Sequence, residues 1–323
     1  MRDKVSIIIP AYNAENTVSK TIEACLNQEL AGEVEVIVID DGSTDSTADI
    51  IRRYRVRYLR QENSGPARAR NAGWRAADGR IICFTDADCI PAKDWVAKLT
   101  AHYSGDDVGA VGGSYSIANR QSIFADCIHK EIIYRHARMP RYVKALGSYN
   151  LSVRKDVLEE AGGFDETYTM ASGEDNDLCY KITKKGYSLV FDKEAKVSHY
   201  HPEKLLKYLK SQFWHGFWRV RLYVRHRDMA KGDDYSGLWD YAQPAVALAI
   251  IFLAPFVFSA AARALICAFL AIEALMQLPV PLSICMKTKS ARYILLAPVT
   301  FLRAFSRGSG MFFGVIKFMA MRG

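Results

Sequence analysis

The chain has 323 residues, of which 50% are apolar, 24% charged and 11% aromatic, with a formal net charge of +8. Such a composition is too apolar for a disordered chain and too poor in Gly and Pro for a fibrous one, and the length allows about two domains. The charge is unevenly placed: residues 1–200 carry 27 Lys and Arg against 29 Asp and Glu, while the last 123 carry 16 against 6. A mean hydropathy near zero is therefore an average over a charge-balanced part and a basic, apolar one. Basic residues interleaved with long apolar runs point to a membrane surface rather than nucleic acid. The seven cysteines (25, 83, 89, 127, 179, 267 and 285) are odd in number and form no CxxC pair, which fits a reducing compartment.

Up to about residue 200, short apolar runs alternate with amphipathic segments. Val5–Ile9, Val34–Ile39, Val56–Leu59, Ile81–Phe84 and Val108–Val111 read as buried parallel strands. The first run is about five residues long, shorter than the ~7–15 of a signal h-region. Helices are predicted over Asn16–Asn27, Thr44–Arg55, Pro66–Ala77 and Lys93–Tyr103, the second opened by Ser43, Thr44 and Asp45 as N-cap chemistry and the third by Pro66. Residues 116–146 break the pattern as a basic, aromatic insertion. It resumes at Gly147–Val153, with helices near Lys155–Ala161 and Glu174–Lys185, and ends at Val197–His199. This alternation predicts an α/β fold with a doubly wound, mostly parallel sheet, whose ligands bind at the carboxyl ends of the strands.

Beyond residue 201 the character changes. Leu205, Leu206, Leu209, Phe213, Phe217, Val220 and Val224 recur at helical spacing among basic and aromatic residues, as in an interfacial amphipathic helix; residues 202–242 would form that helix and a linker. Residues 243–262 and 264–286 are each long enough to cross a ~30 Å hydrocarbon core. Basic residues flank their outer ends, which places both ends, and with them the N-terminal domain, on the cytoplasmic face; Pro255, Pro279, Pro281 and Glu273 leave a re-entrant hairpin open. The final stretch, 291–321, is interrupted by Arg303, Arg307, Gly308 and Gly310, so it is expected to form short interfacial pieces in a membrane module spanning 243–323.

The residues just after the strands carry the chemistry: Pro10-Ala11-Tyr12-Asn13, Asp40-Asp41-Gly42-Ser43 and Asp86-Ala87-Asp88. Two carboxylates one residue apart after a buried strand suit a hard divalent cation that also takes phosphate oxygens; alone, the pair is a weak signal, since Asp86 could equally cap a helix. The series VSIIIPAYNAE, EVIVIDDGSTDST, NSGPARARNAG and FTDADCIP, followed by YNLSVRKDVLEEAGGFDE and GEDNDLCYKITKKGY, resembles the family 2 glycosyltransferases, with their GT-A type nucleotide-diphospho-sugar transferase fold. The resemblance runs from residue 4 to about 201 and implies an inverting transfer of a sugar from a nucleotide-diphospho-sugar (UDP- or GDP-linked).

The resemblance also implies roles. Pro10, Tyr12 and Asn13 would line the base and ribose pocket, and Asp41 would accept a hydrogen bond from the base, Asp40 being rather a turn residue. Arg68 would face the donor phosphates, with Arg70 or Asn71 bracing the turn. Asp86 would contact ribose or metal, and Asp88 would hold Mn2+ or Mg2+ on the diphosphate, neutralising the leaving group in place of a general acid. Asp175 would be the general base beside Glu174. Acids in a first helical turn are also favourable on electrostatic grounds alone, which applies to Glu174 and Asp177. His199 would stand near the metal, with His201 as the alternative.

Departures from the family matter as well. Processive members carry a Gln-x-x-Arg-Trp motif; the nearest run here, Gln212-Phe213-Trp214-His215-Gly216, has no Arg-Trp pair, which implies addition of single sugars. Members that charge a polyprenyl phosphate need no base, because their acceptor oxygen is already ionised, and they typically lack the paired acids. Glu174-Asp175 thus favour a hydroxyl on a lipid-linked or membrane-held glycan, with polyprenyl phosphate as the alternative acceptor. A sugar nucleotidyltransferase would open with a Gly-rich basic loop after the first strand, unlike PAYNAE.

Overall fold

A computed structural model of the chain describes residues 4–30, 32–228 and 234–320. The chain divides into two units: residues 1–119 with 139–200, and residues 120–138 with 201–323. Residues 116–146 are thereby divided, the helix within them grouping with the second unit.

The first unit contains β1 (Val5–Ala11), α1 (Val18–Leu26), β2 (Val34–Asp40), α2 (Thr47–Ile51), β3 (Arg57–Arg60), α3 (Pro66–Ala76), β4 (Ile81–Thr85), β5 (Cys89–Pro91), α4 (Trp95–Thr100) and β6 (Val108–Ile117). After the excursion come β7 (Asn150–Arg154), α6 (Lys155–Ala161), α7 (Glu174–Lys184) and β8 (Ser188–His199); α5 (Ile123–His136) lies in the other unit. The strands form one sheet in the order β3-β2-β1-β4-β7-β6-β8-β5. β1, β2, β3 and β4 pair in parallel, as do β6 and β8, while β7 and β5 enter antiparallel. The uninterrupted apolar runs follow from burial on both faces: Ile7 and Ile9 of β1 pack into one core with Val36 and Val38, whereas Ile8 joins Ile37 and Ile39 in the core on the other side. Parallel register (Ala11 opposite Asp40, Ile8 opposite Phe84) brings the ends of β1, β2 and β4 to one edge of the sheet.

Two local expectations shift. The second helix is only Thr47–Ile51, because the polar residues ahead of it serve the neighbouring loop: Ser43 Oγ accepts from the Asn13 amide at 3.0 Å and Asp45 Oδ2 from the Glu15 amide at 3.3 Å. The three-residue β5 is too short to leave a periodic signal, yet it pairs Cys89 with His199.

The second unit comprises α5, α8 (Leu205–Arg225), α9 (Leu238–Leu253), α10 (Ala260–Met276), α11 (Pro279–Thr288) and α12 (Leu296–Ala320). Two stretches, Trp239–Phe256 and Ala260–Thr288, are long and apolar enough to cross a membrane, and only 22% and 17% of their residues are buried, unlike core helices of a soluble domain. The turn between them is Val257–Ser259, a few residues before Arg263, with the Arg263 guanidinium donating to the carbonyls of Val257 and Phe258.

The segment expected to break into pieces is one 25-residue helix, α12. Its interrupting residues are contacts rather than breaks. A Cβ on Gly310 would meet the Phe213 carbonyl at 2.0 Å, and one on Gly216 the Arg307 carbonyl at 2.2 Å, so these glycines let α8 and α12 touch backbone to backbone. The apolar stripe of α8 is accordingly covered in part by α12, with the ring of Phe213 on Phe313 and that of Phe217 on Phe318. Arg303 turns to Glu131, donating to both carboxylate oxygens at 2.8 Å. Burial alone would raise the Glu131 pKa, but Arg303 and Arg135 hold it down to about 2.

Asn150 ties the sheet together where β6 and β8 slip register between Gly113 and Ser114. Fully buried, it donates to the carbonyls of Ser114 and Ala195 (both 2.9 Å) and accepts from Trp95 Nε1 at 2.7 Å. Asn150→Ala would leave a buried indole N–H unpaired and two carbonyls short of a donor, at about 1–3 kcal/mol for each group left unsatisfied. The expected result is a melting temperature lowered by several degrees, checked by thermal unfolding; an unchanged midpoint would contradict this role.

Candidate active site

The edge formed by the ends of β1, β2 and β4 begins with a bolted pair of loops. Asn13 holds a left-handed backbone (φ 47°), which Asn tolerates better than most residues. Its side-chain oxygen accepts from the Thr44 amide at 2.9 Å, fixing the loop after β1 to the loop after β2. Tyr12 is left with its ring half exposed and Pro10 partly exposed on the same rim. Asp40 makes the expected turn, accepting from the Ser43 amide at 2.8 Å and from the Tyr58 hydroxyl at 2.9 Å. Asp41 is also buried and largely engaged by its own chain: it accepts from Gln61 Nε2 (2.6 Å) and from the amides of Ser64 (3.0 Å) and Gly65 (2.9 Å).

Arg68 and Arg70 lie two residues apart on α3, which sends them to different sides of the helix. Arg68 is 60% exposed, its Nε 3.9 Å from Glu166. Arg70 is 1% exposed and forks between two acids, Nη2 to Asp86 Oδ1 at 2.7 Å and Nη1 to Glu174 Oε1 at 2.8 Å. Asn71 does brace a turn: its amide group donates to the Phe164 carbonyl and its oxygen accepts from the Phe164 amide, both at 2.9 Å.

Glu174 and Asp175 open α7 but differ in setting. Glu174 is buried against Arg70, whereas Asp175 is half-buried, accepting from the amides of Asn176 (2.8 Å) and Ser148 (3.4 Å). Burial raises the Glu174 pKa, helped by the Asp175 charge and opposed by Arg70. Burial also raises that of Asp175, with Asp86 adding to the effect and Arg70 again opposing it. Arg70 is thus the cation that opposes the upward shift of both Glu174 and Asp175.

The third cluster is formed by β4, β5 and β8. His199 Nε2 stands 3.4 Å from Asp88 Oδ2. Ligand atoms of Asp88, Cys89 and His199 all lie within 4.8 Å of one another, the only such trio among the described residues. Burial and the neighbouring Asp88 and Asp86 push the Cys89 thiol well above its ordinary pKa, so it stays protonated. Burial opposes the charge on Asp88, but His199 holds its carboxyl below the usual range. An ionised carboxylate and an imidazole beside an inert thiol fit a hard cation with coordination left for phosphate oxygens. Asp86 is not part of that trio; one of its oxygens accepts from Arg70. His201 is not either: it belongs to the helical unit, its Nε2 3.3 Å from His129 Nδ1. An aromatic stack that the motifs did not flag stands beside His199, with Tyr115 on Tyr149 at 3.7 Å and the His199 ring 5.1 Å from Tyr115.

Comparison with known proteins decides the family. The profile of glycosyl transferase family 2 matches residues 6–146, and that of glycosyl transferase family group 2 matches residues 81–276. The chain is 31% identical to glycosyltransferase AglE of Haloferax volcanii over 251 residues, 73% of this chain and 79% of that protein. It belongs to the family 2 glycosyltransferases.

Among other relatives are the probable glycosyltransferase YdaM of Bacillus subtilis, 28% identical over 74% of this chain and 57% of that protein, and the pre-mycofactocin glycosyltransferase of Mycobacterium tuberculosis, 29% over 69% and 48%. The chain thus spans only about half the length of these two. The fold is that of the mannosyltransferase PcManGT from Pyrobaculum calidifontis, solved in complex with GDP-Man and Mn2+ (TM-score 0.62, 20% identity, 96% of this chain and 86% of that one). As a family member with this GT-A type fold, the protein is an enzyme that transfers a glycosyl group from a nucleotide-sugar donor.

Removing Arg70 leaves buried Glu174 without its counter-charge. Arg70→Met is expected to destabilise the protein by about 3–5 kcal/mol, the cost of breaking one side of a buried ion pair, and the double variant Arg70→Met, Glu174→Leu to recover part of it. Thermal unfolding of both checks this; a double variant no more stable than the single one would contradict it.

Proposed function

We propose that the enzyme transfers a single sugar, with inversion and with a divalent cation, to a hydroxyl of a lipid-linked or otherwise membrane-held glycan at the cytoplasmic face. The observation that carries the reading is the half-buried Asp175 beside Glu174, the latter neutralised by Arg70. This leaves Asp175, raised in pKa and not paired directly with Arg70, to take a proton. In the step proposed, the acceptor O–H gives its proton to Asp175 while its oxygen attacks the anomeric carbon. The bond from that carbon to the diphosphate oxygen breaks on the opposite face, and its electron pair leaves with the nucleoside diphosphate.

Asp88 and His199 would hold Mn2+ or Mg2+, which when bound supplies the positive charge that the departing diphosphate needs. The Mn2+ complex of PcManGT supports this. Arg68, exposed at the start of α3, would meet the donor phosphates, and Tyr12 and Asn13 the nucleoside. Asp41, whose acceptor positions are mostly filled by the 61–65 loop, would contact the base only with its remaining lone pair. The two apolar helices support membrane association. In this reading residues 1–201 form the catalytic domain, 202–242 the amphipathic helix and linker, and 243–323 the membrane module, with α8 and α12 lying at the interface as a packed pair.

The test is a panel of UDP- and GDP-sugars with Mn2+ or Mg2+, read as nucleoside diphosphate released, with a polyprenyl-diphosphate-linked sugar or a polyprenyl phosphate as acceptor. Asp175→Asn is expected to slow transfer to a hydroxyl acceptor about 10²–10⁴-fold; wild-type rates would remove the base assignment, and transfer to polyprenyl phosphate alone would replace the acceptor. Asp88→Ala and chelator should each abolish release, chelator reversibly; turnover that survives chelator removes the metal. The pH profile provides a separate check. Activity needs Asp175 ionised, so it falls as pH drops through a pKa above the ordinary Asp value of ~3.9. Because Arg70 opposes that upward shift, Arg70→Met should move the acid limb to higher pH, and an unmoved limb would contradict the base role.

A further inference from the structure

The helical unit holds a polar cluster whose charges do not balance. Arg135 donates to Glu131 at 2.8 Å and to both carboxylate oxygens of Asp240 at 2.7 and 2.9 Å, and Arg303 takes both oxygens of Glu131. Those two carboxylates are thereby matched by two guanidiniums. A third guanidinium, Arg307, lies close enough to feel Arg303, Arg135 and Asp240. Its Nε donates to Gln212 Oε1 at 2.8 Å, and among the described residues no carboxylate pairs with it. The residue is half-buried rather than sealed. Burial first, and Arg303 second, pull its pKa down to about 10, as happens to a cation short of counter-charge.

Its depth is fixed by packing. The Arg307 carbonyl touches α8 at Gly216, and a Cβ on the next residue, Gly308, would meet the Pro244 carbonyl of α9 at 2.8 Å. Pro244 lies about one and a half turns into the apolar stretch that begins at Trp239, itself 61% exposed. An exposed Trp at the start of such a helix marks the polar boundary of a bilayer; Pro244 lies about 7 Å inside it, a depth from which a long Arg side chain reaches back to lipid phosphates. A guanidinium is the side chain suited to a phosphate, presenting paired N–H groups in a planar fork.

We propose that Arg307, oriented by Gln212, is a binding site for the phosphate of a membrane lipid. The inference rests on the membrane-associated reading of this unit given above. Two lipids offer the same chemistry: an anionic phospholipid of the bilayer, and the polyprenyl phosphate moiety that carries an acceptor.

The full-length protein in detergent, titrated in turn with phosphatidylglycerol, polyprenyl phosphate and inorganic phosphate, separates these by the rise in melting temperature. Wild type should bind at least one of the lipids, and Arg307→Gln should bind it about tenfold more weakly, the loss expected for one charge-assisted contact. Arg263→Gln, which removes one positive charge at the other end of the apolar helices, should bind as wild type does. Without lipid, Arg307→Gln should be at least as stable as wild type, because it removes an unbalanced charge; an arginine with a merely structural role would give the opposite. Tighter binding of polyprenyl phosphate assigns the site to the acceptor, and tighter binding of phosphatidylglycerol assigns it to a bilayer lipid. Equal lipid affinity in Arg307→Gln and wild type, or binding of inorganic phosphate alone, overturns the inference while leaving membrane association standing. Wild-type protein that binds neither lipid and stays out of phosphatidylcholine vesicles overturns both.

Discussion

The α/β unit is organised around one buried cation. Arg70 is almost inaccessible, and it joins the end of β4, through Asp86, to the start of α7, through Glu174. Three carboxylates gather around it: the Asp175 charge raises the pKa of Glu174, and the Asp86 charge that of Asp175, an arrangement that a desolvated site tolerates only with a positive charge in its midst. The guanidinium fork satisfies two of them directly, half-buried Asp86 and buried Glu174, and leaves half-buried Asp175 without a direct ion pair among the described residues. One side chain therefore ties two elements together and also distinguishes the acids by which of them it pairs with.

The second constraint is the antiparallel pairing of β5 with β8. A parallel sheet alone would end β4 in an Asp-Ala-Asp turn open to solvent. The short β5 instead pairs Cys89 with His199, and so brings the imidazole to Asp88. An anionic oxygen and a ring nitrogen meet at one point of the rim although more than a hundred residues separate them in sequence.

Much of this was legible in the sequence. The continuous Val- and Ile-rich runs of β1, β2 and β4 follow from burial on both faces, and the polar residues that end them follow from the chemistry of strand ends. The roles of Arg68 and Arg70 were legible only in part: spacing of two on a helix separates their directions, but which of them turns inward is decided by where Asp86 and Glu174 lie. The Asp88–His199 contact left no periodic signal, since β5 has three residues; only the family resemblance placed both residues together, and it left His201 open as the alternative. In the helical unit, the glycines and arginines that interrupt the apolar run instead mark where α12 meets its neighbours. Gly310 and Gly216 admit a backbone, and Arg303 reaches a carboxylate on α5. Single-sequence periodicity sees the interruption but not the partner that removes its cost.

In the proposed function, these two constraints would supply a proton acceptor and a diphosphate-side pair, as direct displacement at an anomeric carbon requires. The most direct test is the anomeric configuration of the transferred sugar, read by proton NMR of the product before any further reaction. Direct attack by a hydroxyl assisted by Asp175 gives the anomer opposite to that of the nucleotide-sugar donor. A product that retains the donor's configuration would contradict the account.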